Sequence, residues 1–129
     1  MGLSDYVEMI LMQGGTFEGG FSLTDETGAP IDSSWTGRLE VRESYGGELV
    51  TAFASSGEDG TLTITDYGQV LLSLPSSASE ALTSTADERG INRVHYVGDI
   101  EVWRTASPTN RYKPQAPFRV YVRPEVTTA

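Results

Sequence analysis

The sequence contains no cysteine and only one histidine, His95, so two large classes of protein chemistry are missing. Without thiols there is no disulfide framework and no cysteine nucleophile, and the redox compartment stays undetermined. Zinc sites need several nitrogen or sulfur ligands, which this chain lacks. A Ser-His-Asp triad would have to use His95, yet no Gly-x-Ser-x-Gly nucleophile elbow is present. We therefore predict that the protein is not an enzyme and holds no cofactor and no metal.

Long apolar runs are also absent, since no stretch approaches the about 18 apolar residues of a membrane span. The apolar run over residues 6–12 is short, contains Glu8 and lacks a basic leader, so no signal peptide is predicted. Glu58 and Asp59 lack the D-x-D-x-D-G spacing of a calcium loop, and the glycine pairs lack the context of phosphate loops. Glu58 and Asp59 are predicted to lie in a solvated turn, and the glycine pairs are predicted to be turn and bulge residues.

The negative charge of the chain, −9 over 129 residues, is unevenly distributed. Residues 1–60 carry eleven acidic and two basic side chains, whereas residues 89–129 carry seven basic and three acidic ones. This asymmetry suggests head-to-tail packing of identical subunits, or a solvated acidic surface beside an incidental basic hairpin. The acidic excess and the spacing of the arginines along strands predict that nucleic acid is not a partner.

Most of the chain alternates apolar and polar residues, as strands with one buried face do. The clearest alternation covers residues 35–42 and 94–102, and it predicts burial of Leu39, Val41, Ile100 and Val102. Further strands are predicted at residues 17–23, 49–54, 62–64, 70–74 and 118–122. With glycine-rich turns between them, these segments predict a single domain over residues 1–129, an all-β, antiparallel, Ig-like β-sandwich of about eight strands.

Two segments depart from the strand pattern. After Pro75, Ser77 and Glu80 have the spacing of a capping box, which predicts one short helix. Residues 104–117 contain three prolines and no apolar period, so we predict a protruding loop that pairs with no strand. The loop has three cationic residues and no acidic one, which predicts a stiff projection that fits an acidic surface.

Candidate interface residues lie in this loop and on the outward register of the neighbouring strands. Trp103 points outward by the alternation that buries Val102, and exposed aromatic side chains often anchor protein interfaces. The alternative is that the protein's own loop covers this face. The candidate interface residues are Trp103, Arg104, Arg111, Lys113, Arg119 and Tyr121.

Two stretches near the ends of the chain carry a resemblance to a known family. The first contains Gly14-Gly15-Thr16-Phe17, Phe21-Ser22-Leu23-Thr24-Asp25, Gly28-Ala29-Pro30-Ile31-Asp32 and Thr36-Gly37-Arg38-Leu39-Glu40-Val41-Arg42. The second contains Tyr96-Val97-Gly98-Asp99-Ile100-Glu101-Val102-Trp103, Phe118-Arg119-Val120-Tyr121-Val122 and Pro124-Glu125-Val126-Thr127. Together they resemble small tail structural proteins of tailed bacteriophages, and they are similar to the N-terminal domain of upper-baseplate proteins.

This resemblance implies a non-enzymatic structural component of the virion, a tail or baseplate protein that assembles in multiple copies and anchors or joins tail fibre proteins. The implied partners are other virion proteins and copies of the chain itself, with no membrane and no nucleic acid. The implied location is the virion tail, after assembly in the host cytoplasm. The chain departs from the family in its longer turn over residues 32–37, its loop over residues 104–117 and its long linker before Val94.

Two other functions fit the same sequence. A capsid decoration protein or a head–tail connector would use the same kind of sandwich, since a fold alone does not determine function. A carbohydrate-binding module is less favoured, because the aromatic residues are scattered and no export signal is present.

Overall fold

Strands dominate the residues described by the computed structural model, which are 7–86, 94–114 and 118–124. They are β1 (Val7–Met12), β2 (Phe17–Ser22), β3 (Trp35–Arg42), β4 (Leu49–Ala54), β5 (Gly60–Ile64), β6 (Gln69–Leu74), β7 (Tyr96–Arg104), β8 (Arg111–Tyr112) and β9 (Phe118–Arg123). One short helix, α1 (Ser76–Glu80), lies between β6 and β7. The predicted strands are therefore present, and two further strands, β1 and β8, join them.

Hydrogen bonding links the strands in the order β1-β9-β7-β3-β4-β5-β6-β2, with β8 attached to β7. The consecutive strands β1 and β2 stand at opposite ends of this order, and the sheet folds over on itself. Ring contacts cross the interior from β2, joining Phe21 to Phe118 at 5.1 Å and Phe17 to Phe53 at 6.2 Å between centroids. The predicted all-β, Ig-like sandwich is confirmed.

The core follows from the alternation of the central strands. In β3, Trp35, Gly37, Leu39 and Val41 are buried, while the residues between them are half-buried on the outer face. β7 buries Ile100 and Val102 opposite them, as predicted. Other buried apolar residues are Met9, Leu11, Ile31, Phe53, Leu62, Ile64, Val70, Leu72, Leu74, Leu82, Phe118, Val120 and Val122.

Gly98 in β7 is required by close packing across the core. A Cβ atom at this position would lie 2.6 Å from the Cβ of Phe118 and 3.4 Å from a methyl group of Leu39. The ring of Phe118, which also contacts Phe21, takes the space beside the backbone of β7. A side chain at residue 98 would therefore displace a residue that joins the two layers of the sandwich.

The strand directions are mixed, so the prediction of a purely antiparallel sandwich is wrong for two pairs. β1 runs parallel to β9 over six residue pairs, from Val7↔Phe118 to Met12↔Arg123, and β4 runs parallel to β5. Alternation predicts which side chains of a strand are buried, but it says nothing about the direction of the neighbouring strand.

The helix begins differently from the prediction. Pro75 is the N-cap and makes no side-chain capping bond, so the predicted capping box of Ser77 and Glu80 is wrong. Proline suits the start of a helix because it has no backbone N–H to leave unsatisfied, and the helix therefore starts before Ser77. Ser79 is buried instead, and its hydroxyl donates to the carbonyl of Gly15 at 2.7 Å.

Side-chain hydrogen bonds hold the connection between α1 and β7 against the sandwich, which its polar composition did not indicate. The hydroxyl of Tyr96 donates to the carbonyl of Thr83 at 3.0 Å, a contact like the tyrosine corner of Ig sandwiches, and burial raises the pKa of Tyr96. Thr85 is buried and bonds both backbone groups of Val122. The rest of the predicted polar connection, residues 87–92, lies outside the described residues.

Candidate protein-interaction surfaces

The segment after β7 folds back along that strand and forms a hairpin. Its β8 pairs with β7 in the register Val102↔Tyr112 and Trp103↔Arg111. The prediction of a loop without strand pairing over residues 104–117 is therefore wrong for Arg111 and Tyr112, and also for Arg104, which ends β7 and pairs with Trp35. Pro108 lies in the turn and Pro114 lies after the strand, so neither proline removes a donor from the two paired residues. Pro117 lies outside the described residues.

Arg111 holds this hairpin against the outer face of β7. Its guanidinium lies over the ring of Trp103, with 4.0 Å between the ζ-carbon and the ring centroid. The same group donates to Glu101 at 2.7 Å and to the carbonyl of Pro108 at 2.9 Å. Trp103 is half-buried, so the hairpin covers part of the side chain that alternation directed outward.

Lys113 is also paired within the chain. Its ammonium lies 3.5 Å from Asp99 and 3.6 Å from Glu101, and the carboxylate of Asp99 is the main cause of the raised pKa of Lys113. Of the three cations in the predicted cationic projection, Arg111 and Lys113 therefore have carboxylate partners on β7. The hairpin presents a hydrogen-bonded polar surface, and its positive charge is largely neutralised.

Ion pairs continue from β7 onto β3. Arg38 and Arg42 both bond Glu40, at 3.0 and 2.9 Å, and the hydrogen bond from Arg42 is the main cause of the lowered pKa of Glu40. Arg38 also pairs with Glu58. An arginine therefore engages one of the two neighbouring carboxylates, at residues 58 and 59, that lack the spacing of a calcium loop. Four cations thus match four carboxylates along β3, β7, the β8 hairpin and the loop before β5: Arg38, Arg42, Arg111 and Lys113 with Glu40, Glu58, Asp99 and Glu101.

Beside the hairpin lies an open, polar cleft of about 500 Å³, bounded by the hairpin turn, the start of β3 and the turn that follows β2. Arg104 lies over the ring of Trp35 at 4.9 Å, and among the described residues it has no ion-pair partner within 4 Å. Hydrogen bonds from Thr27 and Ser34 lower the pKa values of Asp25 and Asp32, and the charge of Arg104 adds to both effects. The cleft is lined by Glu26, Trp35, Arg104, Ser107, Thr109, Asn110, Arg111 and Tyr112.

Arg119 and Tyr121 belong to a second surface, which we call the β1–β9 face: the outward residues Glu8, Ile10, Met12, Arg119, Tyr121 and Arg123. In the register of the two strands, Ile10 lies beside Tyr121 and Met12 beside Arg123. Ile10 and Met12 are 43% and 45% exposed, which is high for large apolar side chains. On the other side of Tyr121, the exposed His95 makes an edge-to-face contact at 6.0 Å.

The structure therefore separates the six predicted interface residues into two groups. Trp103, Arg104, Arg111 and Lys113 lie at the hairpin, whereas Arg119 lies opposite Val97, six residues before Trp103 along β7. At 3.3 Å per residue this offset is about 20 Å. Sequence reasoning missed Ile10 and Met12, although the alternation in residues 7–12 contained the signal.

Two absences concern the described residues alone. No group of three or more histidine or acidic side chains in residues 7–86, 94–114 and 118–124 is arranged to hold a metal ion. Within the same ranges, no helix combines the length and the apolar character that crossing a bilayer requires.

No protein-family model and no curated protein sequence matches this chain. Among solved structures, the chain is similar to the IG1–IG1 heterodimer of ZIG-8 and RIG-5, with 9% identity over 95% of this chain and 84% of that chain and a TM-score of 0.41. It is also similar to the ASH/PapD-like domain 7 of human CEP192, with 13% identity over 95% and 84% of the two chains and a TM-score of 0.36. Likeness at these TM-scores is too weak to indicate a shared family or function.

Proposed function

We propose that this protein is a non-enzymatic structural component of a bacteriophage virion, a tail or baseplate protein that assembles in multiple copies and joins other tail proteins. The proposal rests on the resemblance of the two stretches near the ends of the chain. The structural observation that supports it is that these two stretches lie next to each other in the fold. β3 of the first stretch pairs with β7 of the second over eight residue pairs, from Trp35↔Arg104 to Arg42↔Val97. The two stretches thus meet in the paired strands β3 and β7, and β2 of the first stretch contacts β9 of the second across the core through Phe21 and Phe118.

The proposed mechanism is association through preformed surfaces. The hairpin is held in place by the contacts of Arg111 and Lys113, so the hairpin itself loses little conformational entropy when a partner binds. Its polar side chains and the cleft beside it offer hydrogen bonds, while the β1–β9 face offers apolar and aromatic contacts. Such surfaces suit a part that joins subunits.

The test is to look for the chain in particles. Virions are purified from the source of the sequence, their proteins are identified by mass spectrometry, and the sandwich is located by cryo-electron microscopy. We expect the chain in the tail, with several copies around its axis. Density on the capsid would support the decoration alternative, and absence of the chain from purified virions would overturn the proposal.

A variant can test whether the hairpin carries the attachment. Residues 105–109 are replaced by Asn-Gly, which joins Arg104 to Asn110 by a tight turn and keeps the register of β7 and β8. We expect a folded protein that no longer enters particles. Tyr45→Ser is the matched control, because Tyr45 is 73% exposed in the turn after β3, at the opposite end of that strand from the hairpin. Normal occupancy of the shortened variant would assign the attachment to another surface.

A further inference from the structure

We propose that β1 pairs edge to edge with β1 of a second copy, as two antiparallel strands related by a two-fold axis. This inference rests on the multiple copies of the proposed function and specifies how two of them meet. It concerns purified protein, so its test is independent of the location of the chain in a virion.

The backbone of β1 has a free edge among the described residues, where its sole strand partner is β9. The N–H of Gln13, the residue after β1, donates to the carbonyl of Arg123 at 3.0 Å, on the β9 side. Because backbone groups alternate in direction along a strand, Leu11 and Met9 also face β9, whereas Ile10 and Glu8 face the free edge. Their N–H and C=O groups form a template for another strand.

This edge lacks the features by which proteins usually prevent such pairing. The strand VEMILM has no proline, no lysine and no bulge, and its pairing with β9 runs without interruption. Its one charged residue is Glu8. The strand at the other end of the sheet, β2, contains two consecutive glycines, which weaken a strand and leave no side chains to pack. β1 is therefore the end strand better suited to pairing.

The outward side chains favour a second copy in antiparallel orientation. When Ile10 lies opposite Ile10 of the second copy, both present their backbone groups to the shared edge and both side chains lie on the outer face. The two exposed isoleucines then cover one another, and each Met12 lies beside a Glu8. The arrangement removes from water two residues that are 43% and 45% exposed in the single chain.

Charge complementarity supports the same orientation. In an antiparallel pair, Glu8 of one copy lies opposite Met12 of the other, and Arg123 lies beside that Met12 on β9. The pairing therefore brings Glu8 of one copy towards Arg123 of the other. Arg123 is exposed and makes no ion pair within the described residues. The two Glu8 side chains stay about 14 Å apart, at 3.4 Å for each of four residues. A parallel pair in register would place them side by side, where like charges repel.

The absence of cysteine from the chain allows a direct test by cross-linking. In the proposed register, Ile10→Cys places two Cα atoms about 5.5 Å apart, within the range of a disulfide. We expect light scattering to show a dimer of the wild type, and mild oxidation to link most of the Ile10→Cys protein covalently. Leu71→Cys on β6, at a side chain that is 45% exposed, is the matched control and should stay unlinked.

Mixed variants determine the orientation. Glu8→Cys and Met12→Cys should cross-link with each other when mixed, and neither should cross-link with itself. Ile10→Pro removes the edge N–H while leaving the bonds of β1 to β9, and we expect it to be a folded monomer. A monomeric wild type, or a dimer in which Ile10→Cys links no better than Leu71→Cys, would overturn the proposal. Cross-linking of Glu8→Cys with a second copy of the same variant would overturn the antiparallel register.

Discussion

The guanidinium of Arg111 lies over the indole ring of Trp103, with 4.0 Å between the ζ-carbon and the ring centroid. The two residues are also paired in the register of β7 and β8. A tryptophan that alternation directs outward thus supports a two-residue strand of its own chain. The alternative in which the protein's own loop covers this face is correct for part of the indole, since Arg111 of the hairpin lies over the half-buried ring.

Removing this contact should loosen the hairpin and leave the sandwich folded. We expect Arg111→Ala to lower the free energy of unfolding by about 1 kcal/mol, the combined scale of an exposed cation–π contact and a surface ion pair. Urea denaturation of Arg111→Ala, Trp103→Leu and the double variant gives the coupling, which we expect at about 0.5–1 kcal/mol. A coupling of zero would mean that the stacking adds no stability.

The core should be sensitive where β3 and β7 meet. Ile100 is 1% exposed and pairs with Leu39, so Ile100→Ala should lower the free energy of unfolding by about 2–5 kcal/mol. Leu71→Ala, at a residue 45% exposed, should change it by less than about 0.5 kcal/mol. Equal effects of the two substitutions in urea denaturation would contradict the register of β7.

Two buried threonines should respond in opposite directions when changed to valine. The hydroxyl of Thr85 accepts from the N–H of Val122 at 3.0 Å, so Thr85→Val strands a buried donor and should lower the free energy of unfolding by about 1–3 kcal/mol. The hydroxyl of Thr51 is buried without a partner in the described structure, so Thr51→Val should leave stability unchanged or raise it. Thermal melts of both variants test this comparison. A lower melting temperature for both variants would contradict it.

Stability should depend on pH through Glu40. Its pKa is lowered from the ordinary value of 4.5, first by the hydrogen bond from Arg42, so folding favours the charged form. The stabilisation is then complete above the unfolded pKa and is lost as the pH falls through the folded pKa. We expect Glu40→Gln to be less stable than wild type near neutral pH, with a difference that shrinks below pH 4.5.

The control for this pH series is Glu18→Gln. Glu18 is an exposed carboxylate on β2 that makes no ion pair within the described residues. Urea denaturation at a series of pH values compares the two variants with wild type. A Glu40→Gln difference that stays constant into acid would show that the pairs with Arg38 and Arg42 add no pH-dependent stability.

The sequence by itself determined the strands whose faces differ strongly in polarity. Alternation in Trp35–Arg42 predicted a strand that buries Leu39 and Val41, and it did the same for Ile100 and Val102 on β7. The turn after β2 is also set locally, since Gly28 has the positive φ, 88°, that glycine adopts without strain. These features are local, because a strand's period and a turn's backbone angles depend on neighbouring residues.

Tertiary structure decided what lies next to what. Nothing in residues 7–12 specifies that β1 runs parallel to β9, more than a hundred residues away, and the two-residue strand β8 is too short to show any period. The partners of Arg111 and Lys113 are likewise set by the register of β7, which places Glu101 and Asp99 within reach. Alternation reports the environment of each side chain, whereas the direction and neighbours of a strand arise only when distant segments pack around one core.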